Sequence, residues 1–220
     1  KTNIRTLAKG ILLALSLPIC AQENIISIRV QGLSMSDTPI EDLFWRQEDS
    51  YEPFPAPVNF LPASIEYTGP NPMILYTKSE KPIEGEALYR PVASVQIPEK
   101  SGEMIFLCRQ DGQGVNVAPI LVRNDSFPDG SYLIFTLGTR PILFVMKDSS
   151  RTLAPNSAQI EEGPKDRAPI QVILRFADDP ENLSLVSTTW FHNPLHRNLV
   201  FFQEEGQKLN VRSVTRRPSP

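Results

Sequence analysis

Val115–Lys147 reads V-N-V-A-P-I-L-V-R-N-D-S-F-P-D-G-S-Y-L-I-F-T-L-G-T-R-P-I-L-F-V-M-K. Three apolar runs, Ile120–Arg123, Tyr132–Leu137 and Ile142–Met146, are cut by two turn signals. Each run is of strand length and rich in β-branched and aromatic residues. In the first turn, Asn124 and Asp125 favour local side-chain bonds, Pro128 fixes φ and Gly130 can adopt positive φ. Gly138-Thr139-Arg140-Pro141 is a second, tighter turn, and Pro141, lacking a donor, belongs at the start of its strand. The stretch predicts three consecutive antiparallel strands. The Tyr132–Met146 part is apolar on both faces, which predicts a hairpin covered on both flanks.

The rest of the chain has the same texture. It has 220 residues, of which 40% are hydrophobic and 21% charged, so it is globular and long enough for a substantial core. It carries 21 prolines, which with many short apolar runs predict many strands and few long helices. A net charge of −3 argues against general nucleic-acid binding, which needs a basic surface. No repeat of solenoid period is visible, and there is no phosphate-binding glycine loop, so no cofactor is expected.

Lys1, Arg5 and Lys9 precede the apolar run Gly10–Leu17 and the block Pro18-Ile19-Cys20-Ala21. A basic head, a short apolar run and a small residue predict a secretory signal peptide over 1–21, too short for a permanent membrane span. Leu17–Cys20 also approximates a lipobox, making Cys20 a candidate for lipidation. The chain is therefore expected to be exported: periplasmic, outer-membrane-associated or extracellular, with no transmembrane helix and with Cys20 as a possible lipid anchor. The one other cysteine, Cys108, lies in a continuous apolar run and reads as a small buried hydrophobe.

The expected fold is all-β: an antiparallel β-sandwich over 22–161, of immunoglobulin-like or Greek-key type. Beyond Glu161–Pro169, four strands (Ile170–Phe176, Leu183–Phe191, Asn198–Gln203, Lys208–Val214) predict a meander over 168–215, packed on or extending the sandwich. Residues 216–220 read as a disordered tail. Gly69-Pro70-Asn71-Pro72 predicts a hairpin between Ser64–Thr68 and Met73–Thr77. A helix start at Thr38-Pro39 competes with a short strand at Leu43–Arg46.

Phe127–Tyr132 resembles the start of a late strand in immunoglobulin-like and prealbumin-like domains. The resemblance implies a tyrosine corner, with Tyr132 bonded back to the backbone upstream and Gly130 shaping the turn. The blocks at Tyr67–Leu75, Phe127–Tyr132, Trp190, Val200–Phe202 and Val211–Val214 together resemble uncharacterised bacterial exported β-sandwich proteins. No activity comes with that likeness.

His192 and His196 are the two histidines, four residues apart. That spacing suits a metal site only on a helix, and Pro194 with its flanking strands speaks against one. The paired acids fall in turns, no nucleophile elbow is present, and no catalytic residue is identified. Trp45, Tyr51, Phe54 and Trp190 are the aromatics that would mark a contact surface if exposed. The leading expectation is a non-enzymatic binding or scaffolding module for an unidentified protein or polysaccharide partner. The alternatives are an envelope- or polysaccharide-directed hydrolase, and a subunit that assembles by β-strand addition.

Overall fold

The computed structural model describes residues 24–79, 88–98, 102–112, 114–122, 127–179, 181 and 184–216. The expected signal peptide, Cys20 and residues 217–220 of the expected tail lie outside them; Arg216, expected in that tail, instead ends the last strand. Sixteen strands are present and no helix occurs among the described residues. In chain order they are β1 (Ile25–Ser34), β2 (Phe44–Gln47), β3 (Ser50–Pro53), β4 (Ile65–Pro70), β5 (Met73–Lys78), β6 (Tyr89–Val95), β7 (Glu103–Asp111) and β8 (Gly114–Val122). There follow β9 (Ser131–Leu137), β10 (Ile142–Met146), β11 (Ser149–Leu153), β12 (Ala158–Glu162), β13 (Ala168–Phe176), β14 (Val186–His192), β15 (Arg197–Glu205) and β16 (Lys208–Arg216).

The strands form four four-stranded sheets: β3-β2-β5-β6, β4-β1-β7-β8, β12-β9-β15-β16 and β11-β10-β13-β14. Adding eight to every strand of the first two sheets reproduces the last two. The chain is thus a structural duplication. Even the mixed character repeats: β1 runs parallel to β7 and β9 parallel to β15, while all other pairs are antiparallel.

Period-two alternation distributes the apolar side chains among three cores. Val30, Met104 and Phe106 of one sheet share a cluster with Trp45, Met73 and Leu75 of β2 and β5. In the second half, Ile134, Val200 and Phe202 share a cluster with Phe144, Val172 and Leu174. Between the halves, Leu33, Ile105 and Leu107 pack on Leu133, Phe135, Leu199 and Phe201. The two middle sheets are therefore covered on both faces, and their strands read as continuous apolar runs for that reason. Gly32 lets the Pro55–Phe54 segment pack close against β1; a Cβ there would lie 2.5 Å from the Pro55 carbonyl and 2.8 Å from Phe54.

Several sequence expectations are corrected. The three central runs occupy three different sheets, as β8, β9 and β10. β9 is buried on both faces, as expected, but β10 crosses to the outer sheet, so the two do not form a hairpin. The four carboxy-terminal strands are not a meander: β13–β14 complete the outer sheet and β15–β16 the middle one. Nor is the fold purely antiparallel. β4 and β5 do not pair; the chain changes sheet at Asn71, whose side chain accepts from Ile97 N at 2.9 Å and donates to Ile97 O at 2.8 Å. The ambiguous segment after Thr38 resolves as strand β2.

The duplication leaves echoes in local chemistry. Asp111–Val117 reads D-G-Q-G-V-N-V and Glu205–Val211 reads E-G-Q-K-L-N-V. In both copies the asparagine amide donates to the acid that opens the hairpin, Asn116 to Asp111 and Asn210 to Glu205. The β2–β3 and β10–β11 turns both place a non-glycine residue at positive φ, Glu48 at 51° and Lys147 at 54°. Ser34 N donates to Pro57 O at 2.8 Å, and its counterpart Thr136 N donates to Ser157 O at 3.0 Å.

Candidate functional site

The middle layers part at one end to leave a cleft between the two halves. It has a volume of about 750 Å³ and is lined in part by Gln31, Phe60, Glu103, His196, Ser213 and Arg216. Five segments meet there: β1, the loop between β3 and β4, the start of β7, the turn before β15, and β16. Glu103 is buried because β7 enters between the layers. It accepts from Arg216 Nη2 on both carboxylate oxygens at 2.6 Å, tying the first half to the second. Charge inside the cleft is thereby paired. Gln31, only 8% exposed, donates from Nε2 to Pro62 O at 2.5 Å, while its Oε1 has no hydrogen-bond partner. At the rim stands Phe60, 61% exposed, an apolar ring beside this polar lining.

The residues singled out from sequence are dispersed. Trp45 and Phe54 are core residues, not surface ones, which corrects their candidacy as contact aromatics. On β2 the alternation turns Trp45 inward, edge-on to Tyr67, while Phe44 and Arg46 face out. Trp190 is half-buried, packed against Tyr132 and Phe144. Tyr51 is half-buried too, in a ring cluster on the outer face of the first sheet. It stacks on Tyr89 at 4.0 Å and meets Tyr76 edge-on at 5.0 Å.

Tyr132 does not make a tyrosine corner. Its hydroxyl lies 2.9 Å from His192 Nδ1, sixty residues away in sequence. The local device occurs instead at Tyr67, whose hydroxyl donates to Pro70 O at 2.7 Å. Burial pushes both tyrosines up to about 12, so both remain hydroxyl donors at neutral pH. Gly130 adopts φ 77° and abuts Pro194. Cys108 is buried and its thiol is pushed up to about 12 by burial, which leaves it a poor nucleophile.

His192 is buried against Gly163, where a Cβ would fall 2.2 Å from its ring. His196 instead meets Asn193 at 3.2 Å and faces the cleft. The two rings do not converge, and no group of three His, Cys, Asp or Glu side chains among the described residues could hold a metal. No helix among the described residues is long and apolar enough to cross a membrane.

Burial lowers the His192 pKa below its ordinary 6.5, against an opposing backbone contribution from Pro164. The unfolded chain keeps the ordinary value. Below about pH 6.5 the unfolded state therefore takes up a proton that the native state refuses, and stability falls with pH. The thermal midpoint should drop between pH 7.5 and pH 5.5, and His192→Gln should flatten that slope. An unchanged slope in the variant would remove His192 as its source.

No known protein-family model matches the chain, and no curated protein matches its sequence. The site's chemistry must therefore be read from its own geometry.

Proposed function

We propose that this is an exported, non-enzymatic binding module built from two β-sandwiches of immunoglobulin-like or Greek-key type, and that the cleft between them binds a neutral, hydroxyl-rich ligand such as a polysaccharide segment. The observation that carries this reading is the cleft lining. Its Glu103–Arg216 charge is internally paired, it offers the hydroxyl-bearing side chains of Ser64 and Ser213, and an exposed Phe60 ring stands at its rim. Sugar hydroxyls exchange hydrogen bonds with side-chain hydroxyls such as those of Ser64 and Ser213, and the apolar face of a pyranose suits an aromatic ring. The volume falls within the ~300–1,000 Å³ range of small-ligand sites.

The hydrolase alternative draws less support. Glycoside hydrolysis by the usual route needs two carboxylates flanking the scissile bond. Glu103 is the single carboxylate among the described residues that line the cleft, and it is held by Arg216.

Affinity electrophoresis of the purified chain in gels containing laminarin, xylan or pullulan tests the reading. At least one of these neutral glycans should retard the protein, and Phe60→Ala should weaken retention about tenfold or more. Tyr51→Ala, on the outer ring cluster, should leave it unchanged. No retardation by any of the three, or loss with Tyr51→Ala but not Phe60→Ala, would refute the cleft as the binding site.

A further inference from the structure

Every open sheet has two edge strands, whose unpaired backbone groups can recruit another chain. Here the eight edges are β3, β4, β6, β8, β11, β12, β14 and β16. Seven of them carry a residue that discourages strand addition. β3, β4, β6 and β8 hold Pro53, Pro70, Pro91 and Pro119; β11, β12 and β16 hold Arg151, Glu162 and Lys208. β14 is the exception. Its sequence, V-S-T-T-W-F-H, contains no proline and no Asp, Glu, Lys or Arg.

The contrast with its own counterpart sharpens the point. β6 occupies the same place in the first half and is guarded by Arg90 and Pro91. The duplicated fold therefore tolerates a guarded edge at this position. β14 is also fully strand-like, pairing with β13 over seven residues. Its solvent face shows Ser187, Thr189 and Phe191, the last 87% exposed. Next to it on β13, Ile173 is 36% exposed.

We propose that β14 is an assembly edge, and that its partner is β14 of a second copy of this chain. The two strands run antiparallel and make one continuous eight-stranded sheet across a twofold axis. The self-pairing register follows from the sequence. Centred on Thr189, it sets Val186 against His192, Ser187 against Phe191 and Thr188 against Trp190. An uncharged edge meets its own copy without like-charge repulsion. Each Phe191 lies across from a small Ser187, which leaves room for the ring to cover the partner's strand. The contact is isologous, so it closes at two copies.

Sedimentation equilibrium of the purified chain over a wide concentration range tests this. The expected result is a monomer–dimer equilibrium with no larger species. Thr189→Lys places two ammonium groups against each other at the twofold axis and should raise the dissociation constant about tenfold or more. Phe191→Ser, at a position that contributes almost nothing to the monomer core, should do likewise with an unchanged thermal midpoint. A wild-type chain that stays monomeric at the highest concentration, or one that forms open polymers, would overturn the proposal. So would a dimer that neither variant weakens.

Discussion

Replacing Phe201 by alanine is expected to lower the unfolding free energy of the whole chain by about 3–5 kcal/mol, the range for deleting a fully buried phenylalanine. Phe201 is 0% exposed and stacks on Phe135 with ring centroids 5.3 Å apart. It belongs to the cluster shared by both halves, beside Leu33, Ile105 and Leu107 of the first. A cavity there removes contacts from both sandwiches at once. Urea denaturation followed by far-ultraviolet circular dichroism should show one transition, shifted to lower urea with its slope kept. A transition that splits, with one half unmoved, would mean that the halves do not depend on a common layer.

The second large effect concerns the ion pair at the cleft. Arg216→Met should destabilise the protein by about 3 kcal/mol, because it strips a charged partner from a buried carboxylate. The Arg216 side chain is 15% exposed and that of Glu103 4%, so solvent cannot easily replace the lost donor. Adding Glu103→Gln to the same chain should restore a good part of the loss, since the residual group is then neutral. Thermal unfolding of the two single variants and the double variant measures the coupling. If the double variant is as unstable as the sum of the singles, the two groups act independently and the pair does not clasp the halves.

The strand content was legible because its signals are local. The apolar runs at Tyr132–Leu137 and Ile170–Phe176 and the turn residues between them state strand and turn directly. Sheet membership was not legible, because the same turn chemistry serves a hairpin and a crossing between sheets. Gly138–Pro141 looks like a hairpin turn, yet β9 and β10 belong to different layers. What decides is the partner each strand meets, and for β9 these are β12 and β15, distant in sequence.

The duplication was hidden for a related reason. Its halves agree in which positions face which core, but seldom in the residues themselves. Trp45 and Phe144 fill corresponding places on β2 and β10 with different rings. The D-G-Q-G-V-N-V and E-G-Q-K-L-N-V segments are a visible echo, and their spacing of roughly a hundred residues lies far outside solenoid periods. Comparing turns alone would have found it, since Gln47–Ser50 and Met146–Ser149 both close on an Asp-Ser pair.

The candidate site was the least legible part. Gln31, Glu103 and Arg216 are scattered along the chain and carry no motif. Only the stacking of β1, β7 and β16 at the junction of the halves brings them together. Aromatic content pointed instead to Trp45 and Phe54, which the alternation of their strands turns into the core.

Amide hydrogen exchange on the native chain tests the central architecture most directly. β1, β7, β9 and β15 are the inner strands of the two middle sheets, covered on both faces, and should exchange slowest, near the global unfolding limit. β3 and β11, short edge strands of the outer sheets, should exchange fastest. Amides of β9 and β15 that exchange as readily as those of β11 would contradict the shared middle layer.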